Sequence, residues 1–328
     1  MRVLYIGGTG EISLECVKAS TAAGHHCTVF NRGRSGEKLP DGIEQIVGDV
    51  SDPVAYGEVG RRHFDVVCQF KAYTVAEAKR DLEIFSGKTG QYVFISSASA
   101  YRKPPLGHVL TEDVPLGNPY WPYSQAKADM EALLFQSHRE RGFPLTVVRP
   151  SHTYRTRFPS TFVPGDLWAW RMLNGRPILS HADGQSLWTL THSSDFAPPF
   201  VKLLGNARSI GQAFQLTGDR AYTWDEIFRT IARVLGVAPR IVHVPTDTLI
   251  RYNGAWTGSL LGDKGWTTLF DNSKIKSVTG EFQCCVELEA GVRMAEPYVR
   301  KRLNGMAMDE GLNALLDRIA AEQEGLGR

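Results

Sequence analysis

Tyr123 and Lys127 stand four residues apart in the stretch 120–131, Tyr-Trp-Pro-Tyr-Ser-Gln-Ala-Lys-Ala-Asp-Met-Glu. On a helix this spacing puts the phenol and the ammonium on one face, one turn apart. A neighbouring ammonium stabilises a phenolate, so the tyrosine can exchange protons well below its ordinary pKa of about 10. An enzyme needs such a group to take the proton of an alcohol while hydride leaves the same carbon. The same spacing also occurs on ordinary surface helices. The pair therefore gains meaning only if other elements build a cofactor site around it.

The first such element is at the start of the chain. Residues 2–6, Arg-Val-Leu-Tyr-Ile, read as a buried strand, and Gly7-Gly8-Thr9-Gly10 follows at once. Ile12, Leu14, Cys16, Val17 and Ala19 then fit a helix. Strand, glycine turn and helix together let the backbone approach a pyrophosphate and aim helix N–H groups at it. The spacing is Gly7-x-x-Gly10-x-x-Ser13, with serine where a third glycine is usual. The alternative is a glycine turn that only ends a strand.

The second strand, 26–30, runs into Asn31-Arg32-Gly33-Arg34. An acid at this place would hold the adenosine ribose of NAD. Neutral Asn31, with Arg32 and Arg34 beside it, would accept a 2′-phosphate instead, which favours NADP over NAD. Two solvated loop arginines are the bland alternative. Strand 44–47 leads to Gly48-Asp49-Val50, where Asp49 could accept from the adenine amino group or cap the next helix. Strand 64–70 leads to Lys71, which could reach a phosphate or a substrate, or simply lie on the surface. A helix is expected over 75–87.

Strand 91–95 runs into Ser96-Ser97-Ala98-Ser99-Ala100-Tyr101. Hydroxyls such as Ser97 and Ser99 at the carboxyl end of a central strand are placed to bond a substrate oxygen, or else to satisfy their own turn. A helix over 120–141 and strand 145–148, with Arg149-Pro150-Ser151, complete the sixth strand-led unit by residue 150. That many short apolar strands alternating with helices require a parallel sheet covered on both faces, an α/β doubly wound fold. The expected division is a dinucleotide-binding domain at 1–150 and a smaller α/β substrate lobe at 151–328. In the lobe, helix 194–204, strand 212–216, helix 224–236 and strand 240–244 are expected to pack together. Arg155 and Arg157 lie in a loop on the ligand side and suit a diphosphate, or are plain surface charge. Trp256, Trp266 and Phe270 could stack a base, but core packing is the simpler reading.

Composition limits the alternatives. Hydrophobic residues are 42% and charged residues 22%, values of an ordinary globular protein. With 37 basic and 35 acidic residues, the net charge of +2 gives no drive toward nucleic acid or an anionic membrane. The five cysteines have no metal-ligand spacing, so no metal site is expected and a reducing, cytoplasmic setting fits. No secretory leader is expected, since the first strand begins at Arg2.

In this order and context, the motifs resemble those of the extended short-chain dehydrogenase/reductases called NAD-dependent epimerase/dehydratases. The carriers are the glycine turn, Gly48-Asp49-Val50, Ser96 to Tyr101, Tyr123-x-x-x-Lys127, Arg149-Pro150-Ser151 and His192-Ser193-Ser194-Asp195. The resemblance covers roughly residues 1–300 and implies a Rossmann-type fold whose chain crosses back to the first sheet after residue 151. It implies a catalytic triad of Ser97, Tyr123 and Lys127, with Lys127 also bonding the nicotinamide ribose. It assigns Gly7, Gly10, Glu11, Ile12, Val50 and Pro150 to the cofactor, beside Asn31, Arg32, Arg34, Asp49, Lys71, Tyr123 and Lys127. Ser97, Ser99, Ser151, Arg155, Arg157 and Trp188 fall to the substrate. A 4,6-dehydratase of this family carries Asp-Glu beside the strand-five hydroxyl, and Ala98 and Ser99 stand there instead. The leading expectation is therefore a nucleotide-sugar epimerase, followed by an NADP-dependent sugar or nucleoside ketoreductase. The resemblance implies a homodimer through helices 75–87 and 120–141. More loosely it extends to the chloroplast stem-loop-binding proteins, which have been linked to RNA. A non-catalytic RNA-binding or sensor role is thus the alternative of another class, set against the intact triad.

Overall fold

The computed structural model describes residues 1–326. The first half runs β1 (Arg2–Ile6), α1 (Ser13–Ala22), β2 (His26–Asn31), β3 (Glu44–Val47), α2 (Pro53–Val59), β4 (Phe64–Gln69) and α3 (Val75–Phe85). It continues with β5 (Thr89–Ile95), short β6 (Val109–Leu110), α4 (Pro122–Arg141) and β7 (Leu145–Pro150). Then come β8 (His152–Tyr154), α5 (Gly165–Leu173), β9 (Ile178–His181), β10 (Leu187–His192), α6 (Ser193–Val201), β11 (Gln212–Leu216), β12 (Ala221–Thr223), α7 (Trp224–Leu235) and β13 (Ile241–Val244).

Seven strands form one sheet in the order β11-β7-β5-β4-β1-β2-β3. Every pairing in it is parallel. Burial on both faces explains why these strands are apolar runs rather than alternating ones. Val3 and Tyr5 belong to one core with α1 and α6, whereas Leu4 and Ile6 face the other core with α2, α3 and α4. Strand order reverses between β1 and β4, and a crevice opens beyond the strand ends at such a switch point. Gly7, directly after β1, and Lys71, two residues after β4, stand at that crevice.

One expectation about the lobe is corrected. Strand 212–216 does not belong to the small lobe; it is β11, the outer strand of the main sheet, paired from Gln212↔Thr146 to Leu216↔Pro150. Helix 193–201 also returns to the first body, where Phe196 and Phe200 pack with Cys16 and Val17 of α1. The apolar content of Gln-Ala-Phe-Gln-Leu suits either sheet, so only the pairing partner decides. The lobe itself has a separate core around Trp168, Trp224, Phe228 and Leu260. Trp256 packs in that core, as the simpler reading of the aromatic stretch expects.

Helix α4 carries the Tyr–Lys stretch and has clear boundaries. Pro122 occupies its first turn, where no intrahelical N–H is lost, and Gly142 ends it in the left-handed region at φ 69°. No helix among the described residues is long and apolar enough to cross a membrane.

Candidate active site

Tyr123 lies in the first turn of α4 and lines a cavity of about 400 Å³ together with Ser97 and Lys127. The Lys127 ammonium is buried. It donates to the carbonyls of Ala72 and Ile95, each at 2.8 Å, just past β4 and at the end of β5. It lies 5.8 Å from the centre of the Tyr123 ring and 5.2 Å from that of Tyr73. Burial lowers the Lys127 pKa to about 7, against the opposing pull of Glu131 and Glu77. Burial likewise raises Tyr123 to about 12; Tyr73 and Asp263 add to the rise and the Ser97 hydroxyl works against it. Here the structure corrects the simple picture of an ammonium that pulls the phenol toward neutral pH. In the protein alone desolvation prevails, and the lysine is held by two carbonyls rather than by the phenol.

Ser97 is fixed by its own turn. Its hydroxyl accepts from the Ser99 N–H at 3.1 Å and shares a proton with the Ser99 hydroxyl at 2.8 Å. Ser124 Oγ continues the chain to Ser99 Oγ at 2.6 Å, and Asn118 Nδ2 donates to the Ser99 carbonyl at 2.8 Å. Ser99 is thus a cavity residue that supports Ser97 from the side. The neighbouring Ser96 hydroxyl is buried with no partner among the described residues, and it too is on the cavity wall.

A second cavity of about 360 Å³ is lined by Gly7, Gly10, Asn31, Arg32, Arg34, Asp49, Val50 and Lys71, all expected from the sequence to hold the cofactor. It shares Gly10, Lys71 and Tyr73 with the Tyr123 cavity, the candidate catalytic one, so the two form one elongated groove. Gly8 has φ +69°, and a Cβ there would come within 2.5 Å of Val29. Only glycine lets the turn pass so close to β2. Ser13 does more than fill a glycine's place: its hydroxyl accepts from the Gly10 N–H at 2.9 Å and fixes the turn. Asn31 braces the same turn, donating to the Gly7 carbonyl at 3.2 Å while its oxygen accepts from Gly33 N and Gln45 Nε2. Arg32 and Arg34 remain at the rim. Asp49 is held ionised by hydrogen bonds from the Ser51 N–H and hydroxyl, and one of its oxygens lies 4.0 Å from Arg32. A glycine cradle, a lysine and two arginines along one groove are groups that can bond an extended, phosphate-bearing ligand.

Glu11, Ile12 and Pro150 line the catalytic cavity. Glu11 has a further task there. Its carboxylate accepts from Arg155 N at 2.9 Å, Thr156 N at 2.8 Å and the Thr156 hydroxyl, which ties the glycine turn to the lobe.

The substrate residues divide. Trp188 and Ser151 line the cavity, although the Ser151 hydroxyl is already donated to the Thr189 carbonyl at 2.8 Å. Arg155 is corrected: its guanidinium is buried, pairs with Glu37 at 2.9 Å and does not line the catalytic cavity. Arg157 does not line it either. It borders an adjoining cavity of about 250 Å³, 3.8 Å from Asp166, that shares Glu11, His152 and Thr153 with the catalytic one. Both arginines suit an anion equally well in sequence, and only folding brought Glu37 to one of them.

Several wall residues carry no sequence motif. Tyr73, Trp121, His152, Asp263 and Lys264 all line the catalytic cavity. His152 is kept neutral, with burial and the Lys264 charge pushing its pKa to about 3. Asp263 and Lys264 end a π-helical turn, Leu260–Lys264, whose Gly262 carbonyl accepts from Asn118 Nδ2 at 2.6 Å. A clue was present in the glycines of this segment. A Cβ at Gly258 or Gly262 would meet Trp121 at 2.5 or 2.8 Å, so both make room for a cavity wall residue.

Comparison with known proteins fits this geometry. The family model for the NAD dependent epimerase/dehydratase family matches residues 3–216. A chloroplast stem-loop binding protein of 41 kDa from Arabidopsis thaliana is 29% identical over 74% of this chain, a match spanning 65% of the plant protein's length. The 2′-dehydrokanamycin reductase of Streptomyces kanamyceticus is 24% identical over 86% of this chain and 80% of its own. Among solved structures, the Bacillus cereus UDP-glucuronic acid 4-epimerase in complex with UDP-glucuronic acid and NAD superposes with a TM-score of 0.74. It is 18% identical and covers 92% of this chain and 99% of its own, so the likeness is one of fold. With its Rossmann-type sheet, glycine turn and Tyr–Lys helix, this chain belongs to the NAD dependent epimerase/dehydratase family.

Proposed function

We propose that this protein transfers hydride at a secondary carbinol of a sugar, with nucleotide-sugar epimerisation as the leading reaction. The observation that carries the reading is that Ser97, Tyr123 and Lys127 share one cavity wall at the end of the glycine-lined groove. A bound nicotinamide supplies the hydride acceptor and donor. Tyr123, as phenolate, takes the hydroxyl proton and returns it to the ketone, while Ser97 holds the same oxygen. Lys127, anchored on Ala72 and Ile95, has a third N–H for the nicotinamide ribose. Ala98 and Ser99 supply no acid–base pair for expelling water. The adjoining cavity at Arg157 and Asp166 supports a substrate longer than a single sugar ring. Arg32 and Arg34 favour NADP over NAD.

A second reading, net reduction of a keto sugar without a nucleotide, is favoured by the engagement of Arg155 with Glu37. The deciding experiment identifies the dinucleotide in the purified protein and follows it during turnover of UDP-glucose and of a methyl hexopyranosid-4-ulose. Epimerisation leaves the nicotinamide oxidised at the end of each cycle; reduction consumes NADPH stoichiometrically. Turnover that survives Tyr123→Phe unchanged would remove both readings.

A further inference from the structure

We propose that Asp263 and Lys264 form a two-point clamp for adjacent hydroxyls of an uncharged sugar ring, and so select the substrates that present a carbinol to Tyr123. The inference rests on the hydride-transfer reading above and names the substrate feature recognised at that site. Both side chains line the catalytic cavity, at 11% and 10% exposure, and they pair at 2.8 Å. Among the described residues that pairing is the one hydrogen bond of either side chain. Lys264 Nζ therefore keeps two N–H groups, and Asp263 keeps its other carboxylate oxygen, for whatever enters. A lone anion would suit the ammonium but face the carboxylate, and a lone cation the reverse. Two neighbouring hydroxyls, each able to donate and accept, satisfy both at once.

The surroundings are those of a sugar site. The Lys264 ammonium lies 5.6 Å from the Trp121 ring centre and 5.7 Å from that of Trp188. The Trp121 ring in turn is 5.2 Å from the Tyr123 ring. These broad apolar faces, with the ion pair between them, match a ring that has C–H groups on its face and hydroxyls on its edge. The π-helical turn that aims the pair is held to the Ser97 turn by Asn118, which bonds the carbonyls of both Ser99 and Gly262. Such turns recur where a helix re-aims side chains at a functional site. Lys103 is also buried and close enough to feel both charges, but it does not line the cavity.

The test uses the full chain loaded with its dinucleotide, and UDP-glucose, UDP-glucuronic acid and a methyl hexopyranosid-4-ulose as probes. Wild type should prefer an uncharged sugar. Lys264→Met should raise its KM about tenfold or more, the loss expected for a charged hydrogen bond, with dinucleotide affinity unchanged. Asp263→Asn leaves the ammonium uncompensated and should shift kcat/KM toward UDP-glucuronic acid over UDP-glucose by about tenfold. That shift would not follow from a merely structural role, and it decides the matter even if Lys264→Met folds poorly. Tyr123-dependent turnover with unchanged KM values and an unchanged uronate preference would overturn the clamp alone. Absence of Tyr123-dependent turnover with every probe would overturn the hydride-transfer reading and the clamp with it.

Discussion

Glu131 receives three hydrogen bonds from Arg149, at 3.0, 3.1 and 2.6 Å, one helical turn beyond Lys127. The pair is nearly sealed from water, with side-chain exposures of 1% and 6%. It fastens α4 to β7, while Arg149 also donates to the Tyr101 hydroxyl at 3.2 Å. Helix α4, which carries Tyr123 and Lys127, is thereby locked to the strand whose end forms the cavity wall. Glu131→Gln would leave the guanidinium buried without a counter-charge. We expect a loss of about 3–5 kcal/mol in stability, read from the denaturant midpoint.

Tyr123→Phe should lower kcat by about 10²–10⁴-fold, the usual contribution of a positioned acid–base group. Beyond its interaction with the Ser97 hydroxyl, the phenol bonds no other element among the described residues, so the thermal midpoint and dinucleotide affinity should hardly move. Equal activity in the variant would show that another group handles the proton.

Lys127 gives a pH signature in the dinucleotide-free protein. Its pKa falls from an ordinary 10.5 to about 7 on folding, because burial disfavours the ammonium. Between those values the unfolded chain holds a proton that the folded chain has released. Stability therefore rises with pH across that window. Below it, the cost of the buried ammonium is present in full. Lys127→Met should accordingly gain stability over wild type at pH 6 and lose that advantage by pH 10. Parallel denaturation curves for the two proteins across that range would refute the assignment.

Tyr123, at about 12 without cofactor, should titrate at lower pH once the positively charged oxidised nicotinamide is added. Difference absorbance of the phenolate, with Tyr123→Phe as the blank, reads the shift directly. A titration that stays in place would mean that the phenolate is not the working form.

Arg32 and Arg34 line the end of the groove away from Tyr123, and Arg32 is largely exposed. The double change to alanine should weaken NADPH binding about tenfold, roughly one charged hydrogen bond, and leave NADH nearly unaffected. Equal losses for both dinucleotides would remove the preference for NADP.

Local order determined much of this protein. Apolar runs such as Val3 to Ile6, a glycine turn directly after them, and Pro122 and Gly142 around the catalytic helix fix strands, turn and helix by rules that act over a few residues. The motifs follow the strand ends, so the parallel sheet brings Gly7, Lys71, Ser97 and Tyr123 to one edge almost automatically. Tertiary structure decided whatever depends on a distant partner. Strand 212–216 joined the main sheet because β7 offered an edge. Arg155 left the substrate because Glu37 reached it. The Tyr123 phenol is governed by burial more than by the lysine four residues away, since Ala72 and Ile95 claim that ammonium. Asp263 and Lys264 became cavity walls through a turn far along the chain that packs its glycines against Trp121. Charge balance and desolvation are sums over three-dimensional neighbours, and no spacing along the chain records them.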